Sequence, residues 1–175
     1  MSELQEYLSH LNASITDRKA GVEFFHKHPE AIPQLFEWAT HGQSERVHVI
    51  SAWIFEMYVM EDIDRLTPYW QKLLDRMPSL TNESIRRPLS KICYNYLKTF
   101  EDQISDQQKD SILSTAFDWL TEPAAVATQN FAMKSLYLLR DHQDWVQEQH
   151  VAVVKSQYPT GSPGYKSAAR QILKL

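Results

Sequence analysis

Apolar residues recur three and four positions apart along almost the whole chain, and polar residues fill the positions between them. Val47, Ile50 and Ile54 show this spacing, which puts them on one face of an α-helix. No segment sustains the alternation of apolar and polar residues that is typical of a half-buried strand. The helical pattern is interrupted at five stretches with turn or capping residues: 28–33, 40–44, 77–82, 121–123 and 159–163. The chain is therefore predicted to be all-α.

The helical segments also repeat at a regular interval. Starting points at Ser44, Asn82, Pro123 and Ser162 lie 38, 41 and 39 residues apart. Three and ten residues after each starting point, every copy has an apolar residue: Val47 and Ile54, Ile85 and Ile92, Val126 and Met133, Tyr165 and Ile172. A period of this length is typical of stacked helix pairs. We predict about four pairs over residues 31–175, preceded by a helical N-terminal cap at residues 1–30, in a single domain.

The pattern resembles the HEAT and armadillo-like helical repeats from about residue 30 to residue 175. A closer resemblance, to a group of small bacterial HEAT-like proteins, rests on four stretches: SAWIFEMY (51–58), ESIRRPLSKI (83–92), FDWLTEPAAVATQNFAM (117–133) and GSPGYKSAARQILKL (161–175). This resemblance implies a right-handed α-α superhelix with no assigned biochemistry.

Some members of that group carry an adenylosuccinate lyase label. Lyases of that superfamily resemble one another in a loop of the form GSSxMPxKxNP. The nearest stretch here, GSPGYKS, lacks the methionine, the second proline and the asparagine. No lyase site is therefore expected to carry over, and lyase activity stays the third and least favoured of the functions considered.

The glycines of the PTGSPGYKS stretch raise the question of a phosphate-binding loop. A P-loop needs four residues between its glycines and a preceding strand, whereas Gly161 and Gly164 are two residues apart in a helical chain. We predict an inter-helix turn instead. Ser162 is expected to be the N-cap, Pro163 the first helical residue, and Gly161 a residue of positive φ.

Charge is distributed unevenly between the two helices of each pair. The second helices, at 44–60, 82–100, 123–140 and 162–175, carry a formal net charge of +7, so the remaining residues carry −11 of the total of −4. In HEAT-like solenoids the second helices line the concave surface. The candidate partner-binding residues on this surface are Arg46, Trp53, Arg86, Arg87, Lys134, Lys166 and Arg170.

Three interpretations of this basic layer stay open. The Lys and Arg residues could simply solvate exposed faces, bind an acidic segment of a protein partner, or bind a nucleic-acid backbone. We expect a non-catalytic binding module or scaffold that engages an anionic protein segment. The alternative is a nucleic-acid-binding or DNA-repair enzyme, because alkylation-repair glycosylases resemble this architecture.

Residues that carry chemistry are not grouped in a recognisable motif. The seven histidines do not show zinc-ligand spacing, and Cys93, in the apolar run ICYNYL, is expected to be a buried thiol. No catalytic residue, metal site or cofactor is predicted. Trp38, Trp70 and Trp119 are expected to pack in the core between the helix layers. For Trp53, the sequence leaves open whether the side chain packs in the core or faces a partner.

The cellular setting follows from the absence of targeting signals. The chain starts without the basic and apolar regions of a signal peptide and contains no 18-residue apolar run. We expect a cytoplasmic protein that does not enter a membrane and whose oligomeric state the sequence leaves open.

Overall fold

A computed structural model of the chain describes residues 3–41, 45–122 and 125–174. The helices in these ranges are α1 (Glu3–His10), α2 (Ile15–Lys27), α3 (Ile32–Ala39), α4 (Arg46–Glu61), α5 (Trp70–Arg76), α6 (Glu83–Phe100), α7 (Asp106–Thr121), α8 (Val126–Leu138), α9 (Val146–Gln157) and α10 (Pro163–Leu173). Short 3-10 segments connect some of them, at Pro29–Ala31, Ile63–Tyr69, Met77–Ser79 and Glu101–Gln103. The described residues contain no strand, as the apolar spacing predicts.

The chain divides into two compact units, residues 1–92 and residues 93–175, with the division inside α6. In the first unit, α1, α2 and α3 all pack against α4. In the second unit, α7, α9 and α10 pack against α8, and α9 also packs against α10. The segment predicted as the N-terminal cap contains α1 and α2. That the whole chain forms a single domain stays a prediction.

Two of the predicted second helices can be compared with their expected starting residues, and both begin close to them. α6 begins one residue after the starting point Asn82, and α10 begins one residue after Ser162. The other two starting points, Ser44 and Pro123, lie outside the described residues.

α4 occupies the centre of the first unit because its sequence is apolar on most of its surface. Nine of its sixteen residues are buried, which requires neighbours on several sides rather than along one stripe. Ile50 and Ile54 are among these buried residues, as the apolar pattern predicts.

The turn at PTGSP is an inter-helix turn, as predicted. The Ser162 hydroxyl accepts a hydrogen bond from Tyr165 N at 3.2 Å, and Pro163 occupies the first position of α10. The prediction for Gly161 is wrong, because its φ lies outside the left-handed region. A Cβ at Gly161 would lie 2.7 Å from Cδ1 of the Tyr165 ring, so this glycine allows the ring to pack against the turn.

Most of the predicted core residues are buried. Trp70 and Trp119 are buried, whereas Trp38 is half-buried. Cys93 is buried, as predicted, and burial raises the pKa of its thiol to about 12, which disfavours the reactive thiolate. Within the described residues, no helix combines the length and apolar character that crossing a membrane requires.

Gly21 sets how closely α2 approaches α4. A Cβ at this position would lie 2.5 Å from Ile54 Cδ1 and 2.9 Å from Ile54 Cγ1, and Ile54 is fully buried. We predict that Gly21→Ala lowers the free energy of unfolding by about 1 kcal/mol, because overpacking outweighs the higher helix propensity of alanine. Urea denaturation measures this change.

A double-mutant cycle tests the cause of that loss. Ile54→Val removes the Cδ1 atom nearest to the added methyl group, so Gly21→Ala should cost less, or even stabilise, when Val stands at position 54. Equal costs in both backgrounds would contradict the close approach as the reason for glycine.

His150 is a buried histidine of the second unit. Its side chain is buried in α9, and burial lowers its pKa from 6.5 to about 4. Well above pH 6.5 the imidazole is neutral in both the folded and the unfolded state. Between pH 6.5 and pH 4 the unfolded chain takes up a proton that the folded chain does not, so we predict that the free energy of unfolding falls by up to about 3 kcal/mol over this range.

The non-titrating variant His150→Gln should lack this part of the acid sensitivity. Urea unfolding at pH 7, 6 and 5 compares the slopes of the two proteins. His10→Gln, at an exposed histidine, is the matched control and should leave the slope unchanged. Parallel pH profiles for the original chain and His150→Gln would show that His150 does not carry the effect.

Candidate partner-binding site

The first unit brings two guanidinium groups onto one indole ring. Trp53 lies on α4 and is half-buried. Cζ of Arg18, from α2, lies 4.9 Å from the centroid of the Trp53 ring, and Cζ of Arg87, from α6, lies 5.0 Å from it. Both distances are within the range of a cation–π interaction. We call Arg18, Trp53 and Arg87 the Trp53 cluster.

Neither arginine of the Trp53 cluster has an acidic partner among the described residues. Arg18 makes one long hydrogen bond, from Nε to the Ser14 carbonyl at 3.4 Å, and Arg87 is exposed. Two positive charges therefore meet at the cluster without a compensating carboxylate.

An ion pair runs beside the Trp53 cluster between the same two helices. Lys91 Nζ lies 2.5 Å from Oε1 of Glu56. Glu56 follows Trp53 by three residues on α4, and Lys91 follows Arg87 by four residues on α6, so the two contacts are neighbours along the helices. Glu56 is buried with 7% of its surface exposed. The pair joins α4 to α6 and uses the charge of Lys91 internally.

Two of the candidate arginines bind the protein's own backbone. Arg46 donates from Nε and Nη2 to the Leu11 carbonyl, at 3.2 and 2.8 Å, and so ties α4 to the connection between α1 and α2. Arg86 is buried; its Nε donates to the Leu80 carbonyl at 2.5 Å, and its Nη1 lies 3.3 Å from Glu83 Oε1. Arg86 therefore stabilises the start of α6, and only Arg87 of the neighbouring pair is exposed.

The second unit has its own contacts between cations and aromatic rings. Lys134 Nζ lies 5.3 Å from the centroid of Phe131 and 5.7 Å from that of Tyr94. Lys166 Nζ lies 5.9 Å from the centroid of Tyr158. Lys134 is exposed on α8. Arg170 is exposed on α10.

The histidines do not assemble a metal centre in the described ranges. There, no three His, Cys, Asp or Glu side chains come together in a way that could hold a metal ion. His41 and His48 stack with ring centroids 4.5 Å apart, and burial, followed by the nearby His41, lowers the pKa of His48. This pair packs beside the start of α4.

The residue that the sequence analysis missed is Arg18. Its segment was assigned to the N-terminal cap, outside the basic second helices. The Ser14 cap, whose hydroxyl accepts from Asp17 N at 3.1 Å, is visible in the sequence and marks the start of α2. That signal places Arg18 in a helix, but only the packing of α2 on α4 brings it to Trp53.

The all-helical architecture of the described residues agrees with the family that the chain matches. A family model described as a HEAT repeat domain matches residues 3–175. The chain belongs to the HEAT repeat family. The match also includes residues 3–30 of the predicted N-terminal cap, which spans residues 1–30. Comparison with curated proteins and with solved structures found no significant match.

The ion pair beside the Trp53 cluster gives a stability test of this HEAT repeat surface. Lys91→Met should leave the buried Glu56 carboxylate without that partner, and we predict a loss of about 1–3 kcal/mol in the free energy of unfolding. Chemical denaturation measures the loss. Lys98→Met, at an exposed position of α6, is the matched control and should change stability little.

Adding Glu56→Gln to Lys91→Met should recover part of the loss, because a neutral amide costs less to bury than a carboxylate. A double variant as unstable as the sum of the single variants would contradict the pairing of these two side chains.

Proposed function

We propose that this HEAT repeat chain is a non-catalytic binding module that engages an anionic segment of a protein partner at the Trp53 cluster. The observation that carries the proposal is the meeting of two arginines, without an acidic partner among the described residues, on a half-buried indole. Guanidinium groups bind carboxylates through paired, charge-assisted hydrogen bonds.

The chemistry of the cluster favours a carboxylate-bearing peptide. An arginine that stacks on an aromatic ring keeps its N–H donors at the edge of the guanidinium plane, where a carboxylate can accept them. The indole offers apolar surface to the hydrocarbon part of the same segment, and aromatic and arginine side chains are the groups that dominate protein–protein interfaces.

The cluster is also held in place before a partner arrives. Arg46 fixes the connection before α2 through the Leu11 carbonyl, and the pair of Lys91 and Glu56 fixes α6 on α4. Preorganised side chains lose less conformational freedom on binding. In the second unit, Lys134, Lys166 and Arg170 are further candidates for contact with an anionic partner.

Nucleic acid is the competing partner, because phosphate groups bind arginine through the same donors. A nucleic-acid-binding protein is normally basic overall, whereas this chain has a formal net charge of −4. The net charge therefore favours the protein partner, and a direct comparison of probes separates the two.

The test is fluorescence anisotropy with three labelled probes: a glutamate-rich dodecapeptide, the corresponding glutamine peptide and a duplex DNA of similar length. We predict saturable binding of the glutamate peptide and weaker binding of the glutamine peptide. The double variant Arg18→Gln with Arg87→Gln should lose about tenfold or more in affinity, since hydrogen bonds to charged groups contribute about 1.5–3 kcal/mol each.

Lys19→Gln, an exposed neighbour of Arg18 on α2, is the matched control and should bind as the original chain does. An unchanged affinity in the double variant would overturn the assignment of the site. Tighter binding of the DNA duplex, with affinity that falls steeply as salt rises, would replace the protein partner by nucleic acid.

A further inference from the structure

The second unit contains a groove between α7 and α9 that is distinct from the Trp53 cluster. Its volume is about 440 Å³, within the range of about 300–1,000 Å³ that is usual for ligand sites. Leu113, Phe117, Trp145 and Val153 supply apolar walls. Trp145 is 49% exposed, whereas tryptophan side chains are highly buried on average.

The charge of the groove has one sign. Two of its ten lining residues are aspartates, Asp110 and Asp118, and none is Lys, Arg or His. α7 itself carries three aspartates and one lysine. The walls therefore repel anions and attract cations.

The Trp145 indole that lines the groove is held in a fixed orientation by hydrogen bonds. Trp145 Nε1 donates to Gln143 Oε1 at 2.6 Å, and Gln143 Nε2 donates to Asp110 Oδ1 at 2.6 Å. His142 Nε2 lies 3.0 Å from the same Asp110 oxygen. Phe117 lies beside the indole, with ring centroids 5.6 Å apart. This chain of hydrogen bonds presents an aromatic surface without a partner having to order it.

Asp118 supplies the carboxylate of the groove that is not already paired within the described residues. The Asp110 carboxylate is occupied by Gln143 and His142. Asp118 is exposed, and its carboxylate makes no ion pair or hydrogen bond within the described part of the chain. A carboxylate beside aromatic faces is the combination that binds guanidinium and ammonium groups.

The dimensions indicate an extended peptide as the occupant. The groove follows α7 from Asp110 to Thr121, which corresponds to about 16 Å of helix. An extended chain covers this length with about five residues.

We infer that the groove between α7 and α9 is a second binding site, for an extended protein segment that carries arginine or lysine. The cationic side chain lies against Trp145 and Phe117 and pairs with Asp118. This site is independent of the Trp53 cluster and has the opposite charge.

Isothermal titration calorimetry tests the site with blocked five-residue glycine peptides. One carries arginine at its second and fourth positions, one carries citrulline there, which is nearly isosteric but uncharged, and one carries glutamate. We expect saturable binding of the arginine peptide, weaker binding of the citrulline peptide and none of the glutamate peptide. Equal binding of the arginine and citrulline peptides, or no binding of either at millimolar concentration, would overturn the proposal.

Two variants place the binding in the groove. Asp118→Asn removes the charge at constant shape and should weaken binding of the arginine peptide about two- to five-fold. Trp145→Leu keeps an apolar side chain but removes the indole, and it should weaken binding by a similar factor of about two to five. Unchanged affinity in both variants would overturn the site.

Matched controls separate this site from other acidic or basic surfaces. Asp102→Asn, at an exposed aspartate that does not line the groove, should bind the arginine peptide as the original chain does. The double variant Arg18→Gln with Arg87→Gln should also retain binding. Loss of binding in either control would contradict the assignment. Concentration-dependent self-association of the chain that is abolished by Asp118→Asn would also contradict it, because the groove would then bind a second copy of the chain.

Discussion

The packing of α4 against α1, α2 and α3 is the constraint on which the first unit depends. Because α4 is apolar on most of its surface, it must be covered on several sides, and the helices before it in the chain provide that cover. Gly21 allows α2 to approach Ile54 closely. Arg18 precedes Gly21 by three residues and Trp53 directly precedes Ile54, so the same close approach that buries the core brings the guanidinium onto the indole. The proposed binding surface is thus a consequence of how α4 is buried.

Electrostatics then decides what each surface can hold. At the Trp53 cluster, Glu56 is committed to Lys91, so the two arginines keep their charge for an external anion. In the groove of the second unit, Asp110 is committed to Gln143 and His142, and Asp118 keeps its charge for an external cation. The two surfaces have opposite signs, which a net charge of −4 for the whole chain does not reveal. Under the two proposals, this HEAT repeat chain binds an anionic segment at the Trp53 cluster and a cationic segment in the groove of the second unit.

The sequence predicts the helices well because apolar spacing and capping residues are local signals. The starts of α6 and α10, the burial of Trp70 and the buried thiol of Cys93 all follow from such signals. Side-chain direction is harder to predict, since neighbouring helical residues point about 100° apart. The pair at positions 86 and 87 shows this: one arginine is buried against Leu80 and the other is exposed.

Contacts between distant segments cannot be read from spacing at all. The approach of α2 to α4 and the groove between α7 and α9 join helices that are not neighbours in sequence, so Arg18 and Asp118 have no local signature.

The most direct measurement of the central claim is a two-dimensional NMR titration that follows the five tryptophan indole N–H signals while a glutamate-rich peptide is added. Our account predicts a saturable shift of the Trp53 signal, assigned with Trp53→Phe, and little change at the buried Trp70 and Trp119. A Trp53 signal that does not move while the peptide binds would contradict it.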